Sequence, residues 1–598
     1  MAFVRSNSVP PDPTYPFSVR DFLGGLNNVE PMTNIEDNEA SDIMNIMFSS
    51  DGTIEKRYGT SKARTKDYGG AITYLDEYMP INSTNKQILA TLTELYIDET
   101  KLCDVDGQID GVNYRGKFYF VDGEYLYVYD GTTYYRVTEA PQQSLTADAL
   151  TDAAIIYIDE WDDRLTIGDD VVIESVGGTH TTTISALDEE NLKVTMTDVL
   201  TFDVVDGDLV RFFIPQDTTY TIGEWEYDAT NHLAWYQPCA NELSDAYLGE
   251  NLVPTGCKYI ELRENRLYLA GADNNPHTVF ISDVENGLYF PVVLPLALPP
   301  NSDIIRGMKL FHGAMIVGRT RDIYAIYGDT NRLDVGTTFY QKQIATSTGF
   351  MSHRSIKHIQ NYLMFVGADG DLYTIHTPNT DVNMLANLKR NQKVDFKLHP
   401  ILADTSDLED AVAIVHNNEY WLSLGDKVVV YSYDHQAFAV YDSFNAESFY
   451  VMDGVLQFGN SDGYLMKYDT SRFNDDGVAI SSYYASKRYD MGESIRIKQF
   501  KEAYLVAKTY SNYDSSFKVV FEIDYNDTEY EPTITSEIAV WGRVTWGERL
   551  ITRNISKSLP LMIGQRGRLV KFIISNETLD EPFRLYEFNI LYKKRGYR

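Results

Sequence analysis

The chain has 598 residues, a formal charge of −35 at neutral pH, a sequence pI near 4.6 and 13% aromatic residues, with 44 Tyr against 6 Trp. A field of that sign repels nucleic acid and anionic membranes, so ordinary nucleic-acid binding is disfavoured. The length exceeds what one hydrophobic core organises, and about two to four domains are expected. Cys103, Cys239 and Cys257 are too few, and odd in number, for a disulfide framework; they read as reduced thiols, although Cys239 and Cys257 could pair.

The first residues hold no apolar core of signal-peptide length, and no run of about 18 apolar residues follows. The expected site of synthesis is a cytoplasm, with no spanning helix. The Tyr excess suits half-buried strands, with rings packed and hydroxyls wet.

In chain order, the first informative stretch runs from Phe22 to Gly59. Gly24-Gly25 form an elbow. Asp37 or Asn38 caps a short helix in which Ala40, Ile43, Met44 and Met47 share a face. Asp51-Gly52 then turns a hairpin between apolar runs, since Gly tolerates positive φ. Lys56 and Arg57 read as an exposed strand end pairing with carboxylates, with a phosphate contact as the sharper alternative.

Beyond residue 65, short alternating strands are closed by Asp-Gly or Gly-Asp turns. The pattern appears at 122–130, 369–375, 425–434 and 462–469, each preceded by another strand. Residues 266–270 and 314–318 open similar hairpins. Repetition of this kind predicts the small antiparallel sheets of a β-propeller. An array of β-sandwiches is the competing all-β reading. Residues 141–216, rich in Thr and Val with Gly-Asp turns before two strands, read as an inserted small β-barrel. From residue 478, runs with a period near two predict a β-sandwich with one wet face. The fold class is therefore all-β: a propeller-like body, an inserted barrel and a C-terminal sandwich-like domain. Its divisions are 1–65, 66–140, 141–216, 217–477 and 478–598. The basic end, 593–598, is a solvated tail or a clip onto an acidic neighbour.

Catalytic motifs are missing. The acidic turn Asp104–Gly111 could bind calcium but lacks an EF-hand's length and closing Glu. The run 159–163 reads as a solvated loop. His353 and His358 lack metal-ligand spacing. The turns at Ser49–Thr53 and Ser461–Gly463 are only partial matches to Asp-box turns. Carboxylate pairs are plentiful because 87 acidic residues are present, so none is nominated for glycoside hydrolysis. No catalytic residue, metal or cofactor is expected.

The order of residues 20–60 resembles the N-terminal signature of the tail nozzle (tail tubular) proteins of short-tailed bacteriophages. The matching residues are Gly24, Gly25, Asp37, Asn38, Gly52, Lys56, Arg57 and Gly59. The resemblance implies a structural virion protein, not an enzyme, made in the host bacterial cytoplasm and assembled into the virion tail. It implies a homo-hexameric ring below the portal-adaptor (head-tail connector) ring that contacts tail fibres or tail tip proteins. Phage DNA would pass through the lumen without specific binding, and a loop would close the tube until ejection. An acidic lumen would suit that role, since it offers phosphates no counterion-releasing cations. The alternative is a virion-associated or extracellular propeller that binds or hydrolyses host-surface polysaccharide.

Overall fold

A computed structural model describes residues 13–596, apart from 140–142, 160, 162–164, 166, 214–223, 238–250, 292–293, 329–338, 347, 377–384, 388–395, 404, 406–407, 509–514, 525, 531–532 and 535–556. Cys239 and most of the run 159–163 lie outside the described residues. The fold is all-β, and the chain forms two compact units: residues 77–343, and residues 1–76 together with 344–598.

The 77–343 unit is built on antiparallel meanders. One runs through Asp110–Tyr114, Lys117–Val121, Leu126–Tyr129 and Tyr134–Val137; others run through Tyr259–Ala297 and Ile305–Ala345. These are propeller-type sheets, and their hairpins are the ones predicted. The turn glycines Gly123, Gly370, Gly425 and Gly463 all have φ between 80° and 92°, a region that side chains with a Cβ avoid. Asp122 reinforces its turn by accepting the N–H groups of Glu124 and Tyr125 at 3.0 and 2.9 Å.

Between Tyr134–Val137 and its parallel neighbour Leu233–Gln237, the chain leaves the meander to make the barrel. Six strands lie in the order Gln143–Ser144, Leu209–Phe213, Asp170–Ser175, Gly178–Asp188, Lys193–Met196, Ile155–Tyr157. The two ends of that order meet. Leu145 bridges Ile158, the Thr146 N–H donates to Tyr157 O and the Asp159 N–H donates to Ser144 O. Closure removes the sheet edges, and Leu145, Ile156, Val171, Ile173, Val194 and Val210 fill the interior.

In the other unit, the meanders Lys357–Asn387 and Val412–Asp442 are complete in themselves. A third, Ala446–Asp469, has only three consecutive strands. Its fourth is Gly59–Asp67, with Lys467 opposite Ser61 and Asp469 opposite Gly59. The sandwich lies in the same unit. One sheet carries Arg584–Lys594 and Lys498–Lys508 at its centre; the other carries Val570–Asn576 between Ser482–Ser486 and Lys518–Ile523. The facing rings of Phe572 and Phe588 have centroids 3.9 Å apart.

The N-terminal segment departs from its predicted form. The helix expected after Asp37 is instead two strands, Glu39–Met44 and Ile46–Phe48, broken at Asn45 (φ 56°). Ile43 pairs with Tyr484 across the sheet. The segment's backbone is satisfied by a partner over 400 residues away, which outweighs its local helical periodicity. The hairpin does form, with Met47 opposite Glu55.

The tyrosines are also drier than expected. Tyr78, Tyr119, Tyr236, Tyr268, Tyr289, Tyr420, Tyr441 and Tyr484 are fully buried. Their hydroxyls can find partners inside the fold: Tyr420 donates to Ser355 O at 2.7 Å.

Gly59 opens the closing strand with no room for a side chain, because a Cβ there would lie 1.9 Å from Asn474 O. Gly59→Ala is expected to cost about 1–3 kcal/mol or more through forced backbone movement. Gly70→Ala, where a Cβ meets nothing within 4 Å, should stay within about 0.5 kcal/mol. Urea denaturation midpoints of the two variants check the contrast.

Candidate functional site: a buried junction

The residues singled out in the sequence gather where the N-terminal strands cross from the sandwich to the propeller-type sheets of their own unit. Lys56 and Arg57 are completely buried, contrary to the exposed strand end expected. They sit between two β-layers because Ile54–Lys56 pairs both with Ile46–Phe48 and with Arg584–Lys594.

Arg57 is the centre of the junction. Its Nε donates to Asn45 Oδ1 at 2.8 Å. Nη1 donates to Tyr58 O and Asp475 Oδ1, and Nη2 to Asp442 O and Asp475 Oδ2, at distances from 2.6 to 3.0 Å. The guanidinium carbon also lies 4.8 Å from the Phe444 ring centroid. Asp475 in turn accepts the N–H and hydroxyl of Thr60 at 3.1 and 3.0 Å. Asn45, in a left-handed conformation, is itself fixed by donating through Nδ2 to Asp442 Oδ1 at 2.7 Å and Ser481 O at 2.6 Å.

Lys56 points the other way, into the sandwich. Its Nζ donates to Asn576 Oδ1 at 2.6 Å and Thr578 O at 3.1 Å. Burial and the Arg57 charge push its pKa down to about 8. The tip of the hairpin is held by Arg584, which pairs with Asp51 at 2.6 Å and Glu55 at 3.1 Å. Partial burial works to raise the Asp51 carboxyl, but the bonds from Arg584 and Thr53 win and bring it down to about 2.

The remaining signature residues set the elbow. Gly25 has φ +69°, and a Cβ there would come within 2.8 Å of Ala437; one on Gly24 would come within 2.7 Å of Asn38. The Gly24 N–H donates to Asn38 O, and Asp37 accepts from Lys487 Nζ at 2.7 Å. Gly52, with φ +85°, turns the hairpin. Sequence reasoning missed Glu39, which is buried, bonds Asn27 and pairs with Lys397 at 2.8 Å. It also missed Asn45 and Asp475. Asn45 has one sequence signal, a polar residue inside the apolar run 43–48, whereas Asp475 lies in the polar turn 474–477 and has none.

The possible metal and catalytic groups are engaged in structure. Asp104 pairs with Lys101 and Asp110 accepts the Ile260 N–H. Among the described residues, no three His, Cys, Asp or Glu side chains gather as a metal site. Cys103 and Cys257 are buried, and burial pushes both thiols up to about 12.

One carboxyl stands apart. Burial of Glu419 pushes its pKa up to about 7; the Trp421 indole N–H, donating at 3.1 Å, works against that rise and the Asp434 charge adds to it.

No family model matches the chain, and no curated protein does. Among solved structures, a computationally designed protein aligns at 12% identity and TM-score 0.31, covering 67% of this chain and 97% of its own. The WD40 domain of Neurospora crassa Pan2 aligns at 11% and 0.24, covering 70% and 96%. An exo-beta-1,3-galactanase of Phanerochaete chrysosporium aligns at 10% and 0.21, covering 55% and 94%. Scores of this size bear on neither fold nor function. The fold assignment rests on the strand pairing itself.

Two outcomes follow from the junction and from Glu419. Arg57→Ala leaves Asp475 without its fork and should cost about 3–5 kcal/mol, with Arg57→Lys recovering only part, as read from denaturant unfolding. For Glu419, the folded pKa lies above the ordinary value of 4.5. Its contribution is therefore complete below pH 4.5 and lost as pH rises through 7. Compared with Glu419→Gln, the wild-type protein should lose up to about 3 kcal/mol across that window, measured as the difference between their unfolding free energies at each pH.

Proposed function

We propose that this protein is a structural component of a short-tailed phage, a nozzle-class ring through which DNA leaves the virion. The observation that carries this reading is the role of the signature residues. Those that resemble the nozzle signature serve as turn, elbow or buried lock, fixing the N-terminal strands against both the sandwich and the adjoining sheets. That is what an assembly part needs from its most distinctive segment.

The charge supports the same reading. DNA sliding along a carboxylate-lined wall gains no counterion release and meets no brake. A closed ring of identical copies requires head-to-tail contacts between two different surfaces of each copy. The expected partners are five further copies, the portal-adaptor ring above, and fibres or tip proteins at the outside.

Glu419 favours the second reading, a propeller acting on host polysaccharide. A carboxyl protonated near neutral pH with a like charge nearby is what a glycosidase uses as its acid. Cryo-electron microscopy of the assembled virion tests the two together. Density for this chain as a ring below the connector supports the nozzle, and density anywhere but the tail ends it. Release of reducing sugar from host polysaccharide, abolished in Glu419→Gln, would establish the second reading instead.

A further inference from the structure

The contact between Lys56 and Asn576 has the composition of a reaction centre as well as of a hydrogen bond. The two residues lie 520 positions apart, Lys56 fully buried and Asn576 2% exposed. Lys56 Nζ touches the amide carbonyl oxygen at 2.6 Å, while Asn576 Nδ2 donates to Ser516 O at 2.6 Å. The amide is thus held at both ends, with its carbonyl presented to an amine. The carbon that an amine would attack is one C=O bond, about 1.2 Å, beyond that oxygen.

A carboxylate completes the set. Of the acidic groups acting on the Lys56 charge, Glu581 acts most strongly, ahead of Asp475 and Asp580. Its Oε2 accepts the backbone N–H of Ser516 at 2.6 Å and the Ser516 hydroxyl at 2.5 Å. The residue that holds the Asn576 amide therefore also holds the carboxylate. Water has little access to either partner, so hydrolysis does not compete.

We propose that Lys56 and Asn576 form an intramolecular isopeptide bond, with Glu581 relaying the proton. The neutral Nζ adds to Cγ of Asn576. A proton leaves Nζ for the Glu581 carboxylate and passes to Nδ2, the Cγ–Nδ2 bond breaks, and ammonia departs. One amine and one primary amide become one secondary amide and one ammonia, with no change in oxidation state. The depressed lysine supplies the nucleophile, since with a pKa of about 8 roughly one molecule in ten carries a neutral amine at pH 7. The product ties the N-terminal hairpin covalently to the sandwich strand Val570–Asn576, at the junction that Arg57 locks without covalent bonds.

The test is the intact mass of the purified full-length chain under denaturing conditions. Lys56→Met, which shares its termini, serves as the reference. The wild-type protein should lie about 17 Da, one ammonia, below the value calculated from that reference. Proteolysis should release a branched peptide joining the Lys56 and Asn576 segments, absent from both Lys56→Met and Asn576→Ala. Glu581→Gln keeps both bonding partners and should stay at full mass. A folded wild-type chain that keeps its full mass after days at pH 8 overturns the bond. A Glu581→Gln chain that forms the bond as completely as wild type overturns the relay.

Discussion

A guanidinium without access to water must have all five of its N–H groups bonded, and Arg57 meets that demand only when three separate parts of the chain are in place. Asn45, Tyr58, Asp442 and Asp475 each take one or two of the five. Two of these acceptors come from the N-terminal segment itself, one from the end of a propeller-type sheet and one from the stretch leading to the sandwich. The cost of burying the charge is recovered only in the assembled arrangement. The same residue that makes the unit cohere thus makes partial assembly unfavourable. Lys56 extends the arrangement into the sandwich, and Gly59 starts the strand that completes the adjoining sheet.

Much of the body was legible because it is local. Alternating runs closed by Asp-Gly turns specify hairpins whatever else the chain does, and the glycines at 123, 370, 425 and 463 occupy the left-handed turn positions they signalled. The barrel was legible for the same reason, with its Gly-Asp turns preceding Val-rich strands. The N-terminal segment was not. Ala40, Ile43, Met44 and Met47 fall on one helical face by spacing alone, yet the strand partner that decides the matter lies beyond residue 480. The burial of Lys56 and Arg57 was hidden likewise. Charge in a sequence signals solvent until the partners that replace solvent are known, and Asp475 and Asn576 are both more than 400 residues distant.

The acidic surplus is unevenly spread. Residues 143–213 carry sixteen Asp and Glu against three Lys and Arg, although the barrel they form has an apolar interior. Its surface also shows large apolar side chains, among them Leu150, Ile167 and Val176. A module with these properties is self-sufficient in its core and distinctive at its surface. Its strand order closes on itself, so its strands pair with one another. Such a module can diverge without disturbing the sheet from which it springs.

The pairing of Thr14–Val19 with Arg584–Lys594, in which Ser18 meets Asn589 across 571 positions, sets a schedule for synthesis. At about 5–20 residues per second, the first strand waits on the order of half a minute to two minutes for its partner. Throughout that interval the hairpin meanders of 77–343 have their partners close at hand, while Thr14–Val19 presents an unpaired edge. Pro16 removes one donor from that edge, a device that discourages pairing with the wrong neighbour. Docking of Thr14–Val19 therefore waits on Arg584–Lys594, and truncation near residue 584 would remove the partner of that strand.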